Sequence, residues 1–255
     1  MKKIQALVTK ELGSYFISPV AYVIIFIFLG VSGFLFFQIL SYFNVQSIQM
    51  MRYPGLLDRL NLNDMVLFPF FHNVVVFFTF LIPVLTMRLL SEEKKLGTGE
   101  LLFTSPITTT EVVLGKFLAA VTVIGVMLLF SFVYPLMILI FGNPDVGPIF
   151  TAYLGLFLLG SAAASLGVLM SSLTENQIIA VISAWGVLIF LLIIGWGAQA
   201  VGPTFGAVLQ HLSILEHFQS FSKGIIELKG VVYYLSFIFF TLFLTQRVLD
   251  SQSWR

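Results

Sequence analysis

Residues 65–87 read MVLFPFFHNVVVFFTFLIPVLTM, and none of these 23 positions between Asp64 and Arg88 carries a charge. A helix of about 20 apolar residues crosses the hydrocarbon core of a bilayer, and an ionised side chain at its centre costs about 2.5–3.5 kcal/mol on the insertion scale. The interval therefore reads as one membrane span. The same reading extends outward in both directions. Glu11 to Arg52 leaves 40 uncharged residues, Lys116 to Asp145 leaves 28, Asp145 to Glu175 leaves 29, Glu175 to Glu216 leaves 40, and Lys229 to Arg247 leaves 17. Each 40-residue interval also holds a polar or glycine-rich stretch, so each is assigned one span. Six helices are predicted, at about 20–40, 67–87, 117–140, 149–170, 178–197 and 230–246. The sixth is short, which predicts little tilt or a locally thinned bilayer.

Composition agrees with this reading. The 255-residue chain is 58% apolar and only 10% charged, against roughly 25% charged in an average soluble domain, and its mean hydropathy is +1.02. A net charge of +1 offers no basic excess for a nucleic-acid partner. The absence of cysteine excludes disulfides, thiol catalysis and cysteine-ligated metal. No phosphate-binding G-x-x-x-x-G-K-[ST] loop occurs, so no nucleotide is cradled by that route, and the three histidines do not pair with carboxylates at ligand spacing, so no metal or other cofactor is expected in this chain. His72 stands alone in the second span, and His211 and His217 precede the sixth. Ser161, Ser165, Ser171 and Ser172 surround the fourth span and could include an intramembrane nucleophile. The run Gly160 to Gly167 reads better as a small-residue face for close helix packing. No catalytic residue is assigned.

The N-terminal 19 residues read as an amphipathic elbow helix. Ile4, Leu7, Val8, Leu12, Tyr15 and Phe16 recur at three- and four-residue spacing, with the charged residues, Lys10 and Glu11 included, mainly elsewhere on the helix, until Pro19 ends the pattern. Positive residues in short loops stay cytoplasmic. With both termini inside, nine Lys and Arg residues fall on the cytoplasmic side and Arg52, Arg59, Lys223 and Lys229 on the other.

The loop 88–116 between the second and third spans is the most informative segment. Thr98 can cap a short helix through Leu101, Leu102 and Phe103 that Pro106 closes, and Thr108 or Thr109 can cap the next helical stretch. An apolar run held between charged flanks at the membrane edge suits a plug that enters a groove on a partner protein.

Here the chain resembles the permease subunits of ABC-2-type ATP-binding-cassette transporters. The family pattern is matched by Glu93, Lys94-Lys95, Gly97-Thr98, Glu100-Leu101-Leu102, Pro106 and Gly115-Lys116. Further matches are Lys10-Glu11-Leu12, Tyr15-Phe16 and Ser18-Pro19 near the start, and Glu216-His217-Phe218, Gly224 to Glu227 and Val232 to Tyr234 near the end. Gly99 and Glu227 depart from the commoner residues. The branch most similar is that of the gliding-motility-associated permeases.

The resemblance implies an all-α integral membrane protein with the ABC-2, type V exporter-like fold. Residues 1–19 would be the elbow and 20–255 the six-helix permease domain in a bacterial inner membrane. ATPase coupling would fall on Glu93, Gly97, Thr98, Glu100, Leu101, Leu102, Phe103, Thr104 and Pro106. A re-entrant hairpin would occupy 198–229, with Glu216, His217, Phe218 and Glu227 toward its outer mouth; an interfacial helix pair is the alternative. ATP and Mg would be bound by a partner ABC ATPase subunit, and a second copy or a homologous permease would complete the assembly. An auxiliary membrane protein with a periplasmic domain is a further expected partner. The resemblance places the dimer seam on the first and fifth spans, where Gly30, Gly33, Ser183 and Gly186 are compatible with close approach. Two functions stay open: export or extraction of a substrate, and a membrane scaffold for ATP-driven periplasmic work.

Overall fold

The computed structural model describes residues 2–50, 61–97, 107–199 and 201–253. Among them every regular element is helical. The elbow α1 (Lys2–Ile17) ends one residue before α2 (Pro19–Met50). Pro19 lacks an amide hydrogen and disfavours helical geometry at Ser18, so a helix ends there and a new one begins with proline in its first turn. A π-helical turn (Asn63–Leu67) leads into α3 (Phe68–Thr86), which continues after a break at Met87 as α4 (Arg88–Lys95). Then come α5 (Thr109–Ser131), α6 (Val133–Phe141), α7 (Val146–Leu173) and α8 (Gln177–Ile193). A 3-10 turn (Ile194–Gln199) follows α8. The chain closes with α9 (Pro203–Leu212), α10 (Ile214–Ser222) and α11 (Leu228–Ser253).

Among the described residues six helical segments are long and apolar enough to cross a membrane: Pro19–Met50, Asn63–Lys95, Thr109–Phe141, Val146–Leu173, Gln177–Ala198 and Leu228–Ser251. All six expected spans are present, and the second, third and sixth run past their charge-free intervals. The third starts at Thr109 because Thr108 and Glu111 form a reciprocal capping box. The expectation of a short sixth span is corrected: α11 has 26 residues. Its charged end stays helical, and the Arg247 guanidinium folds back one turn to lie 5.0 Å over the Phe243 ring.

The fourth span, α7, is the centre of the bundle. In its most apolar window 78% of residues are buried, against 22% for the first and sixth spans and 28% for the fifth. The small-residue run explains this placement. A Cβ on Gly160 would meet the Ile124 side chain at 3.0 Å, and one on Gly167 would overlap the Thr86 hydroxyl. The serines tie helices rather than stand free. The Thr241 hydroxyl donates to Ser165 Oγ at 2.8 Å, joining the fourth and sixth spans, and Ser161 and Ser172 donate to carbonyls of their own helix. Tyr134 in α6 donates to the Leu29 carbonyl at 2.6 Å, joining the third span to the first.

Gly167→Val forces a branched side chain into the Thr86 contact and should cost about 1–3 kcal/mol, read as a lower melting temperature of the solubilised chain. Gly30→Val, where nothing lies within 4 Å of a new Cβ, should leave the melting of the isolated chain unchanged.

Candidate coupling site

At one end of the bundle three elements meet on a buried lysine. Lys116 lies two turns into α5 with its side chain only 2% exposed, and its ammonium sits 2.9 Å from Glu11 of the elbow and 2.8 Å from Glu93 of α4. A lone ammonium would be costly at such burial, and the two carboxylates offset that cost. The elbow can come this close because the preceding residue is Gly115, where a Cβ would lie 2.8 Å from the Leu7 Cβ. The Gly-Lys pair therefore has a physical meaning: glycine admits the elbow and lysine ties it to α4.

The elbow is fixed a second time four residues on. Tyr15 is buried and its hydroxyl donates to the Leu85 carbonyl at 2.8 Å. Burial pushes its pKa far above the usual phenol value, which keeps it a neutral donor. The Arg88 guanidinium lies 4.9 Å over the Tyr15 ring and donates to Ser18 Oγ at 3.4 Å. Lys10, Glu11, Tyr15, Arg88, Glu92 and Lys116 line a polar cavity of about 230 Å³ between elbow and bundle. Phe16 packs its ring edge-to-face on Tyr22 across the bend at Pro19.

Both roots of the loop between the second and third spans are anchored here. Ser171 of the fourth span accepts the Leu90 and Ser91 amides at 3.0 Å each and donates to the Met87 carbonyl at 2.8 Å, so it caps the start of α4 from outside. The Lys94 ammonium donates to the Ser172 carbonyl. Gly97 ends α4 with φ +68, a conformation that favours glycine. On the far side, Thr109 donates to Asp250 near the end of α11 at 2.6 Å. Elbow, second, third, fourth and sixth spans thus converge around the loop. Thr98, Glu100, Leu101, Leu102, Phe103, Thr104 and Pro106 lie outside the described residues.

The remaining predicted sites fall elsewhere. At the other end, Asn63 and Asp145 exchange side-chain and backbone hydrogen bonds at 3.4 and 3.1 Å. There α9 and α10, joined at Ser213, form a helix pair before the sixth span. Phe218 is fully buried, Glu216 half-buried and Glu227 exposed. His217 has a ring nitrogen 2.9 Å from the His211 carbonyl and stacks on Tyr233 at 4.1 Å, and burial lowers its pKa. Gly30 and Gly186 face open space, whereas Gly33 is met within the chain by Tyr134, 2.9 Å from a would-be Cβ. Ser183 donates to the Ile179 carbonyl of its own helix.

Sequence reading noted Lys116 only as part of a pattern and missed its partners. A signal was present: Leu7, Glu11 and Tyr15 are four apart, so Glu11 shares the buried face of the elbow.

Lys116→Met leaves Glu11 and Glu93 facing each other half-buried. It should destabilise the solubilised chain by about 3 kcal/mol, and adding Glu11→Gln and Glu93→Gln should recover much of the loss in the same melting assay.

A family model described as ABC-2 family transporter protein matches residues 5–229. Comparison with curated protein sequences finds no match. Membership of that family implies pairing with an ABC ATPase subunit, and its members are membrane components rather than catalysts themselves. With a matched region covering most of its length and six helices able to cross a membrane, the chain belongs to the ABC-2 transporter family, as a multi-pass transmembrane component.

Proposed function

We propose that this chain is the permease subunit that docks an ABC ATPase through residues 98–106 and carries the resulting movement into the bundle through Glu11, Lys116 and Glu93. The observation that carries this reading is the convergence on the roots of that loop. Force applied between Gly97 and Thr108 reaches the elbow through Lys116, the fourth span through Ser171 and the sixth span through Asp250. Both termini and this loop lie on the cytoplasmic side of a bacterial inner membrane in this reading, since that end gathers most of the Lys and Arg residues. ATP and Mg are held by the partner ATPase.

Because two ABC ATPases sandwich nucleotide between them, one permease would leave one ATPase undocked. A second copy, or a homologue, supplies the other docking loop. Gly30 and Gly186 support a seam on the first and fifth spans, because each is exposed on a sparsely buried helix with no neighbour within 4 Å. Gly33 contributes inside the subunit instead. The work performed is export or extraction of a substrate, in the manner expected of the gliding-motility-associated branch and its relatives.

Leu102→Asp should leave membrane insertion and melting unchanged and abolish copurification of a coexpressed ABC ATPase, because it places an unpaired charge in an interface core. Unchanged copurification would overturn the docking assignment. Leu7→Asp with Leu12→Asp should lower melting before it affects ATPase contact. ATPase stimulation without movement of any substrate in proteoliposomes would favour the scaffold reading.

The seam is tested by single cysteines, which are unambiguous in a chain that has none. Cysteines at Gly30 and Gly186 should form disulfides between copies in native membranes. Crosslinks at neither, with crosslinks around Gly160 to Gly167, would overturn the seam.

A further inference from the structure

The groove between the end of α9 and the start of α11 is not used by the coupling site. It has a volume of about 490 Å³ and is lined by His211, Leu228, Lys229, Val232, Tyr233 and Phe237, with Ser236 between the last two. That volume lies within the usual range of ligand pockets, roughly 300–1,000 Å³. We propose that this groove binds an anionic amphiphile, its headgroup on Lys229 and His211 and its aliphatic chain along Val232 and Phe237.

Three features support this. First, the charge at the mouth is positive. Lys229 is the charged side chain of the lining, the polar His211 ring lines it as well, no carboxylate does, and among the described residues Lys229 makes no ion pair. Glu216 and Glu227 are nearby and stand outside the groove; Glu216 and Lys229 act on His217 with opposite sign. Second, the depth of the groove is apolar and follows one face of a membrane span, with Leu228 and Val232 exposed. Any lipid can coat a convex apolar helix. A concave surface with a fixed cation at its interfacial end can instead select a headgroup.

Third, the wall is rigid. The Tyr233 hydroxyl donates to the Leu212 carbonyl at 2.8 Å, its ring stacks on His217 at 4.1 Å, and His217 is itself bonded to the His211 carbonyl at 2.9 Å. The end of α9 is thereby pinned to α11 before any ligand arrives, which lowers the ordering cost of binding. The inference deepens the permease reading by naming a class of molecule handled at this end, and rests on it only for placing this end at the outer leaflet.

The test uses the full chain in phosphatidylcholine bilayers, with Ser236→Cys carrying a bimane fluorophore in the otherwise cysteine-free sequence. Brominated-chain phosphatidylglycerol should quench the label at a several-fold lower mole fraction than brominated-chain phosphatidylcholine. Lys229→Gln should remove that preference, and Val232→Trp should remove it by filling the groove with charge unchanged. Lys223→Gln, exposed but outside the groove, should retain it. Equal quenching by the two lipids, a preference that survives both groove variants, or equal loss with Lys223→Gln would overturn the proposal. ATPase copurification is scored separately. Its loss with headgroup preference retained would count against the permease reading and leave the groove assignment standing.

Discussion

Gly160 and Gly167 let the fourth span sit where a larger helix could not. In a bilayer no hydrophobic driving force gathers helices, since lipid tails are as apolar as leucine, so close packing and interhelical hydrogen bonds must do so. The face built from Gly, Ser and Ala provides both. Its glycines admit Phe78, Ile124 and Thr86 at contact distance, and Ser165 and Ser171 reach the sixth span and the start of α4. The other spans are arranged around this helix, and the first, fifth and sixth keep most of their surface for lipid or a second subunit.

At the charged end the logic changes from size to electrostatics. A buried ammonium is tolerated because two carboxylates from different elements close on it, so Lys116 holds the elbow and α4 in one register against α5. Gly115 permits the approach and the Tyr15–Leu85 bond repeats the attachment further along the elbow. Elements tied at both their apolar and charged faces move together. In the proposed function, this end of the bundle receives the force from a docked ATPase.

The opposite end is built from polar closures of another kind. Thr151 donates to the Phe221 carbonyl at 2.7 Å and Tyr234 to the Ile214 carbonyl at 2.9 Å, so α10 is held against the fourth and sixth spans while α9 meets the sixth only near its end. That uneven attachment leaves the concave strip beside Lys229. Where the helix pair turns, the Leu212 and Ile214 carbonyls accept from the Tyr233 and Tyr234 hydroxyls of the sixth span, and the His211 carbonyl is met by the His217 ring.

The amino-acid sequence by itself determined the number of spans, their order, the elbow and the break at Pro19. These features arise from local costs: charge in hydrocarbon, proline in a helix, and periodic burial of one face. The small-residue run also identified its helix as a packing surface, because the absence of side-chain bulk is visible residue by residue. Span ends were less legible, since the Thr108–Glu111 cap starts the third span before Lys116 and the sixth continues past Arg247, whose guanidinium rests on the Phe243 ring. Only the tertiary structure decided which charges meet. The spacing of Glu11 from Leu7 and Tyr15 hints at its face of the elbow but not at its partner, because Glu11, Glu93 and Lys116 are far apart along the chain. It likewise decided that Gly33 serves a contact with Tyr134 while Gly30 and Gly186 stay open, because what a glycine admits depends on the neighbour that arrives there.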